Sequence, residues 1–204
     1  MSRFTRKLST RRLKKVIRIY TEGEKTEPNY FNSIKDELRL NEIDIKVRAI
    51  RGQTLRLVQD VIKIKKDEHV DEVALTDWWV VFDRDDGSKF NEAIELAGKN
   101  GIEVAYSNEC FELWFVLHFE FLSTGIGRED YQNKLTKLLG RKYDKRSSDI
   151  YELIKEREAI AIRNAKKLEK EHDTMNVPSP LKRDPSTLVY KLVEKLRELK
   201  VNEQ

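Results

Sequence analysis

Five consecutive large apolar residues, Trp78-Trp79-Val80-Val81-Phe82, stop abruptly at the polar stretch Asp83-Arg84-Asp85-Asp86-Gly87-Ser88. A run with no polar alternation leaves no face for water. It predicts a strand buried on both sides, the signature of a parallel sheet covered by helices on each face. Such a sheet needs helical crossovers, and the flanking sequence supplies them. Val16 to Thr21 and Ile43 to Ile50 are rich in β-branched residues and predict strands over 16–21 and 43–50; the apolar run and Ile102 to Tyr106 predict strands over 78–83 and 102–107. Between them, helical spacing of Tyr30, Phe31, Ile34 and Leu38, of Leu55, Val58 and Ile62, and of Phe90, Ile94 and Ala97 predicts helices near 27–40, 54–67 and 89–100. Thr26 is the expected N-cap of the first helix, with Pro28 in its first turn, and Thr54 a candidate cap of the second.

Cys110 to Phe119 predicts a strongly apolar helix. From Arg128 onward the pattern is helical, broken at Asp144–Ser148 and at the proline-rich Asp173–Pro185. Pro185-Ser186-Thr187 is expected to open a last helix with Leu188, Leu192, Leu196 and Leu199 on one stripe. The fold class is therefore α/β: an open, mostly parallel sheet of about four strands flanked by helices, with a C-terminal helical extension. We divide the 204 residues into a basic arm (1–14), an α/β core (15–120) and a helical extension packed on it (121–204).

Charge is segregated along the chain. Residues 1–15 hold seven Arg or Lys and no acid; residues 16–140 hold 17 basic and 24 acidic residues; residues 141–200 hold 16 and 11. Basic flanks around an acidic middle suit a polyanion that must reach an acidic centre, and equally suit solvated surfaces. Arg11, Arg12, Lys14 and Arg183 are the candidate nucleic-acid contacts. The single cysteine, Cys110, excludes an intrachain disulfide, and no apolar run approaches the ~20 residues of a membrane helix. With no leader-like segment after the basic start, the expectation is a cytoplasmic protein without membrane contact.

Ligands of open α/β sheets bind beyond the carboxyl ends of the strands. There the sequence has Glu22-Gly23-Glu24 after the first strand, Asp83-Arg84-Asp85-Asp86 after the third, and Ser107-Asn108-Glu109 with Glu112 after the fourth. Clustered carboxylates repel unless a cation neutralises them, and hard oxygen donors suit Mg²⁺ or Mn²⁺. Lys25 is either a phosphate-facing cation or a surface residue at a helix start. Glu24 and Glu27 are either extra ligands or partners of the helix dipole. Glu112, an acid among Phe111, Leu113, Trp114 and Phe115, needs a metal or an arginine if buried. Asn108 is a hydrogen-bond partner for backbone or phosphate, or a cap of the following helix. His118 is a core residue or a catalyst. Ser186 and Thr187 bind phosphate or cap a helix.

Glu-Gly after the first strand, joined to an apolar strand ending in Asp-x-Asp, resembles the Toprim domain of topoisomerases, primases and several nucleases. The longer blocks Tyr20–Phe31, Val81–Asp85, Ser107–Phe119 and Asp184–Thr187 are closer still to the RloB-like family, a Toprim-like group often encoded beside restriction or phage-defence loci. That resemblance implies a Mg²⁺-dependent nuclease (or one using Mn²⁺) acting on DNA or RNA, with a possible defence-system partner protein. Glu22 would be the catalytic acid/base or a metal carboxylate, Asp83 and Asp85 the metal ligands, with Lys25 and Glu112 as further catalytic candidates. Two other readings stand beside it. One is a non-catalytic nucleic-acid-binding accessory module. The other is a haloacid-dehalogenase-like phosphatase, suggested by Asp83 to Ser88 but placed after the third strand instead of the first.

Overall fold

The computed structural model describes residues 15–41, 43–68, 76–84 and 89–202. Its order is β1 (Lys15–Thr21), α1 (Thr26–Leu38), β2 (Ile43–Ala49), α2 (Thr54–Asp67), β3 (Thr76–Asp83), α3 (Phe90–Lys99), β4 (Glu103–Asn108) and α4 (Glu112–Leu117). There follow α5 (Arg128–Leu139), α6 (Ile150–Ile154), α7 (Glu158–Thr174), β5 (Ser186–Thr187) and α8 (Val189–Asn202). The five strands lie in the order β2-β1-β3-β4-β5; β1 to β4 run parallel and β5 antiparallel. This is the expected mostly parallel α/β sheet flanked by helices, in a Toprim-like arrangement, and every predicted strand lies within two residues of its position.

Strand alternation sorts the two cores. Trp78, Val80 and Phe82 pack with Tyr20, Tyr106 and the buried faces of α2 and α3. Trp79 and Val81 point the other way, joining Ile17, Ile19 and Ala105 under the aromatic residues of α1 and α4. The apolar run of β3 is thus buried on both faces for the reason the sequence suggested. Burying a side chain of this size contributes about 2–3 kcal/mol relative to leaving it wet. The larger core continues through Tyr131 and Leu135 of α5, Tyr151 and Ile154 of α6, Ala165 and Leu168 of α7 and Leu192 and Leu196 of α8. The C-terminal helices therefore share one core with the sheet.

Three local expectations are corrected. Ser186 and Thr187 do not start the last helix. They form β5, pairing with Asn108 and Ser107, and α8 begins at Val189. Thr187 nonetheless caps that helix, its Oγ1 accepting the Val189 N–H at 3.2 Å. Both residues are buried, which leaves no room for the phosphate reading. Thr26 is not the N-cap of α1; Lys25 holds that position, and the Thr26 hydroxyl donates to the Lys145 carbonyl at 3.0 Å. Thr54 is the first residue of α2, behind Gln53, and its hydroxyl faces the Glu22 carboxylate at 3.3 and 3.4 Å.

Candidate functional site

The carboxyl ends of β1 and β3 open into a cleft of about 450 Å³. Among the described residues its walls carry five carboxylates, Glu22, Glu24, Glu27, Asp83 and Glu112. They also carry four cations, Lys25, Arg128, Lys145 and Arg146. Of the expected site residues, Glu22, Lys25, Asp83 and Glu112 meet here. Asp85 and the arm residues Arg11, Arg12 and Lys14 lie outside the described residues. Arg183 does not line the cleft. Its Nε donates to the Val177 carbonyl at 2.8 Å and its guanidinium pairs with Asp173 at 2.7 Å.

Alternation at the strand ends sets where each acid points. The Glu22 N–H donates to the Val81 carbonyl at 3.0 Å, so the β1–β3 ladder runs one residue beyond the strand. By parity Glu22 falls on the α2 side, where Thr54 reaches it. Asp83 falls on the opposite side and pairs with Arg128 of α5 at 3.8 Å. Glu24 pairs with Arg51. Among the described residues no group of three His, Cys, Asp or Glu forms a metal cage. The donor chemistry still fits: every acidic group at the cleft offers carboxylate oxygens, the hard ligands that Mg²⁺ and Mn²⁺ prefer.

Two acids of the cleft are buried. Glu112 is 7% exposed and accepts a hydrogen bond from the Tyr143 hydroxyl at 3.1 Å. Its partner is therefore a tyrosine, where the sequence suggested a metal or an arginine. Glu27 is 6% exposed. Burial pushes its carboxyl up to about 7. Nearby Glu112 adds to that, while Arg128 and the backbone N–H groups of Glu27 and Gly23 pull the other way. Gly23 is needed for this approach, since a Cβ there would lie 2.1 Å from Glu27 Oε2. The Glu-Gly motif after β1 and the Glu-Pro of α1 are thus one unit. The sequence carried that signal only as a Gly four residues before an acid. Burial also raises the Cys110 thiol, with Glu112 and Asp83 adding to the effect, so it stays protonated.

The other strand ends are tied together. Arg84 pairs with Glu109 at 3.5 Å and with Asp184 at 3.6 Å. Asn108 Nδ2 donates to the carbonyls of Pro180, Leu181 and Arg183 at 3.3, 3.1 and 2.9 Å. Asn108 is therefore a fastener between β4 and the segment before β5. His118 is fully buried, its Nδ1 hydrogen-bonded to the Trp114 carbonyl at 2.9 Å, and burial lowers it to about 4. It is a neutral core residue that does not line the cleft.

The last wall of the cleft is the break that the sequence marks at Asp144–Ser148 without placing it. Gly140, in the left-handed region (φ 65°), ends α5 and turns the chain into the segment 141–149. Arg141 and Asp149 close its base at 2.6 Å. Tyr143 plugs into the core, and the carbonyls of Lys145 and Arg146 accept hydrogen bonds from Thr26 and Asn29 at 3.0 and 3.3 Å.

A mostly parallel sheet flanked by helices, with a cleft at its carboxyl edge, is consistent with a Toprim-like fold. The model of the RloB-like protein family matches residues 17–196, and the chain belongs to that family. No curated protein and no solved structure matches it. Among the described residues, no helix is long and apolar enough to cross a membrane.

Proposed function

We propose that the protein is a Mg²⁺- or Mn²⁺-dependent nuclease that hydrolyses phosphodiester bonds in nucleic acid, as part of a prokaryotic defence against phage. The observation that carries this reading is the shared cleft of Glu22, Asp83 and Lys25 at the carboxyl ends of adjacent parallel strands. Glu22, Asp83 and Asp85 are the residues that would hold the ion. When bound, a divalent ion supplies neutralisation of phosphate charge and acidification of a coordinated water.

The chain's own groups have distinct tasks in this reading. Glu22, held by the Thr54 hydroxyl, receives the proton of the attacking water at a carboxylate oxygen. The Lys25 ammonium, exposed at the rim, meets the negative charge that develops on the phosphate oxygens. Glu27, with its carboxyl near 7, holds a proton close to neutrality and returns it to the leaving oxygen. Glu112 is fixed by Tyr143 and keeps a negative potential beside Glu27.

The test is cleavage of transfer RNA, single-stranded DNA and duplex DNA by the purified protein, with Mg²⁺ and with chelator. Wild-type protein should cleave at least one of them only with metal, and Asp83→Asn should not. A folded wild-type protein that binds these substrates and cleaves none overturns the reading in favour of a binding module.

A further inference from the structure

Most cations near the strand ends are already committed. Arg51 pairs with Glu24, Arg84 with Glu109 and Asp184, Arg128 with Asp83 and Glu109, and Arg141 with Asp149. Lys145 and Arg146 are different. Both line the cleft and both are exposed. Among the described residues, neither side chain enters an ion pair or a hydrogen bond. Their backbone is nonetheless pinned: Thr26 and Asn29 donate to their carbonyls, the Arg146 N–H donates to Asp144 Oδ1 at 2.9 Å, and the Ser147 N–H donates to the Asp144 carbonyl at 3.0 Å. The strap is held to the floor by main-chain oxygens, so the ammonium and guanidinium heads stay available. A positioned backbone carrying two uncommitted cations beside an acidic floor suits a ligand that is negatively charged along its length.

We propose that residues 143–146 form a phosphate-binding strap. Lys145 and Arg146 grip the backbone of a nucleic-acid strand on one side of the phosphate at the acidic floor. This rests on the nuclease reading for its substrate class and adds the residues that seat the strand. Among the described residues the cleft has one aromatic residue in its lining, Phe111, which is buried and offers no open face for a base to stack on. Contact is therefore with phosphates, indifferent to base sequence, and shared by DNA and RNA.

The experiment measures binding, so that it is separable from cleavage. Labelled oligothymidylate and oligouridylate of about twenty nucleotides, long enough to run past the cleft, are titrated with chelator from about 50 to about 200 mM salt. Each phosphate that is no longer neutralised should reduce the log–log salt slope by about 0.7 for a single strand. Lys145→Ala with Arg146→Ala should therefore lower the slope by about 1.4 and weaken both oligonucleotides alike. Lys142→Ala, on the same segment but lining a neighbouring pocket, should leave binding unchanged. Thr26→Val with Asn29→Ala keeps both charges but releases the strap, and should also weaken binding. An unchanged slope in the double alanine variant, with its melting temperature intact, overturns the strap even if wild-type protein cleaves nucleic acid. Weakening on only one of the two oligonucleotides overturns the indifference to sugar. Wild-type protein that binds neither strand overturns the strap, whereas the nuclease reading falls only if transfer RNA, single-stranded DNA and duplex DNA all stay uncleaved with Mg²⁺.

Discussion

Glu27 carries the largest testable electrostatic cost at the cleft. Its carboxyl ordinarily titrates near 4.5 and in the folded protein near 7. Below 4.5 the acid is neutral in both states and burial costs nothing. As pH rises from 4.5 to about 7 the unfolded chain ionises and the folded one resists, so stability falls across that window. Above 7 a charge is buried and the cost is fully present. At 1.36 kcal/mol for each pH unit, the span from 4.5 to about 7 amounts to about 3 kcal/mol. Glu27→Gln keeps the shape and removes the titration. Urea unfolding followed by the fluorescence of the buried Trp78, Trp79 and Trp114 reads the difference directly. The variant should match wild type near pH 4 and exceed it by up to about 3 kcal/mol near pH 8. Because Glu112 contributes to the raised value, the same substitution in a Glu112→Gln background should gain less. A gain that is flat with pH, or a variant less stable than wild type at pH 8, refutes the reasoning.

Gly23→Ala should drive the Glu27 carboxylate from its seat and narrow the pH window of the Glu27→Gln gain, which repeating the same urea series on the Gly23→Ala background checks. Asp83→Asn gives up a 3.8 Å pair with a partly exposed Arg128, so its unfolding free energy should change by less than about 1 kcal/mol while metal-dependent cleavage disappears. Arg197 bridges Glu37 at 2.7 Å, Glu158 at 2.8 Å and the Tyr151 hydroxyl at 2.8 Å; Arg197→Ala should cost about 3 kcal/mol in urea unfolding because three partners on α1, α6 and α7 lose their cation. Removing residues 1–12, which carry five Arg or Lys, should weaken nucleic-acid binding in low-salt titrations and leave the melting temperature unchanged.

The elements legible in the sequence were those whose side chains report their surroundings by periodicity. The unbroken run Trp78–Phe82 announced a strand with two dry faces, and the spacing of Tyr30, Phe31, Ile34 and Leu38 announced the buried stripe of α1. Glu22, Lys25, Asp83 and Glu112 could be gathered into one site because strand ends in a parallel sheet share an edge. β5 was hidden because two polar residues carry no period; Ser186 and Thr187 become a strand only when β4 offers an open edge. Thr26 looked like a cap because its hydroxyl is the right chemistry one residue from the right place, and a tertiary partner, the Lys145 carbonyl, took it. The opposed directions of Glu22 and Asp83 follow from strand parity, but only once the β1–β3 register is known. The strap shows in the sequence only as a break at Asp144–Ser148, since its placement depends on hydrogen bonds to residues far away in sequence.

That distance has a consequence for how the protein comes into being. The Thr26–Lys145 bond joins residues 119 apart, and the Ser107–Thr187 contact joins residues 80 apart. A chain emerging from the ribosome has β1, the Glu-Gly turn and Asp83 long before it has the strap or the strand that closes the sheet edge. Until residues 143–146 are free of the exit tunnel the acidic floor stands without its basic lip, and until residue 187 follows β4 stands without its outer neighbour. A chain that has β1 and β3 but not yet these later segments therefore lacks the complete cleft, so the competence of the site waits on residues made long after its acids.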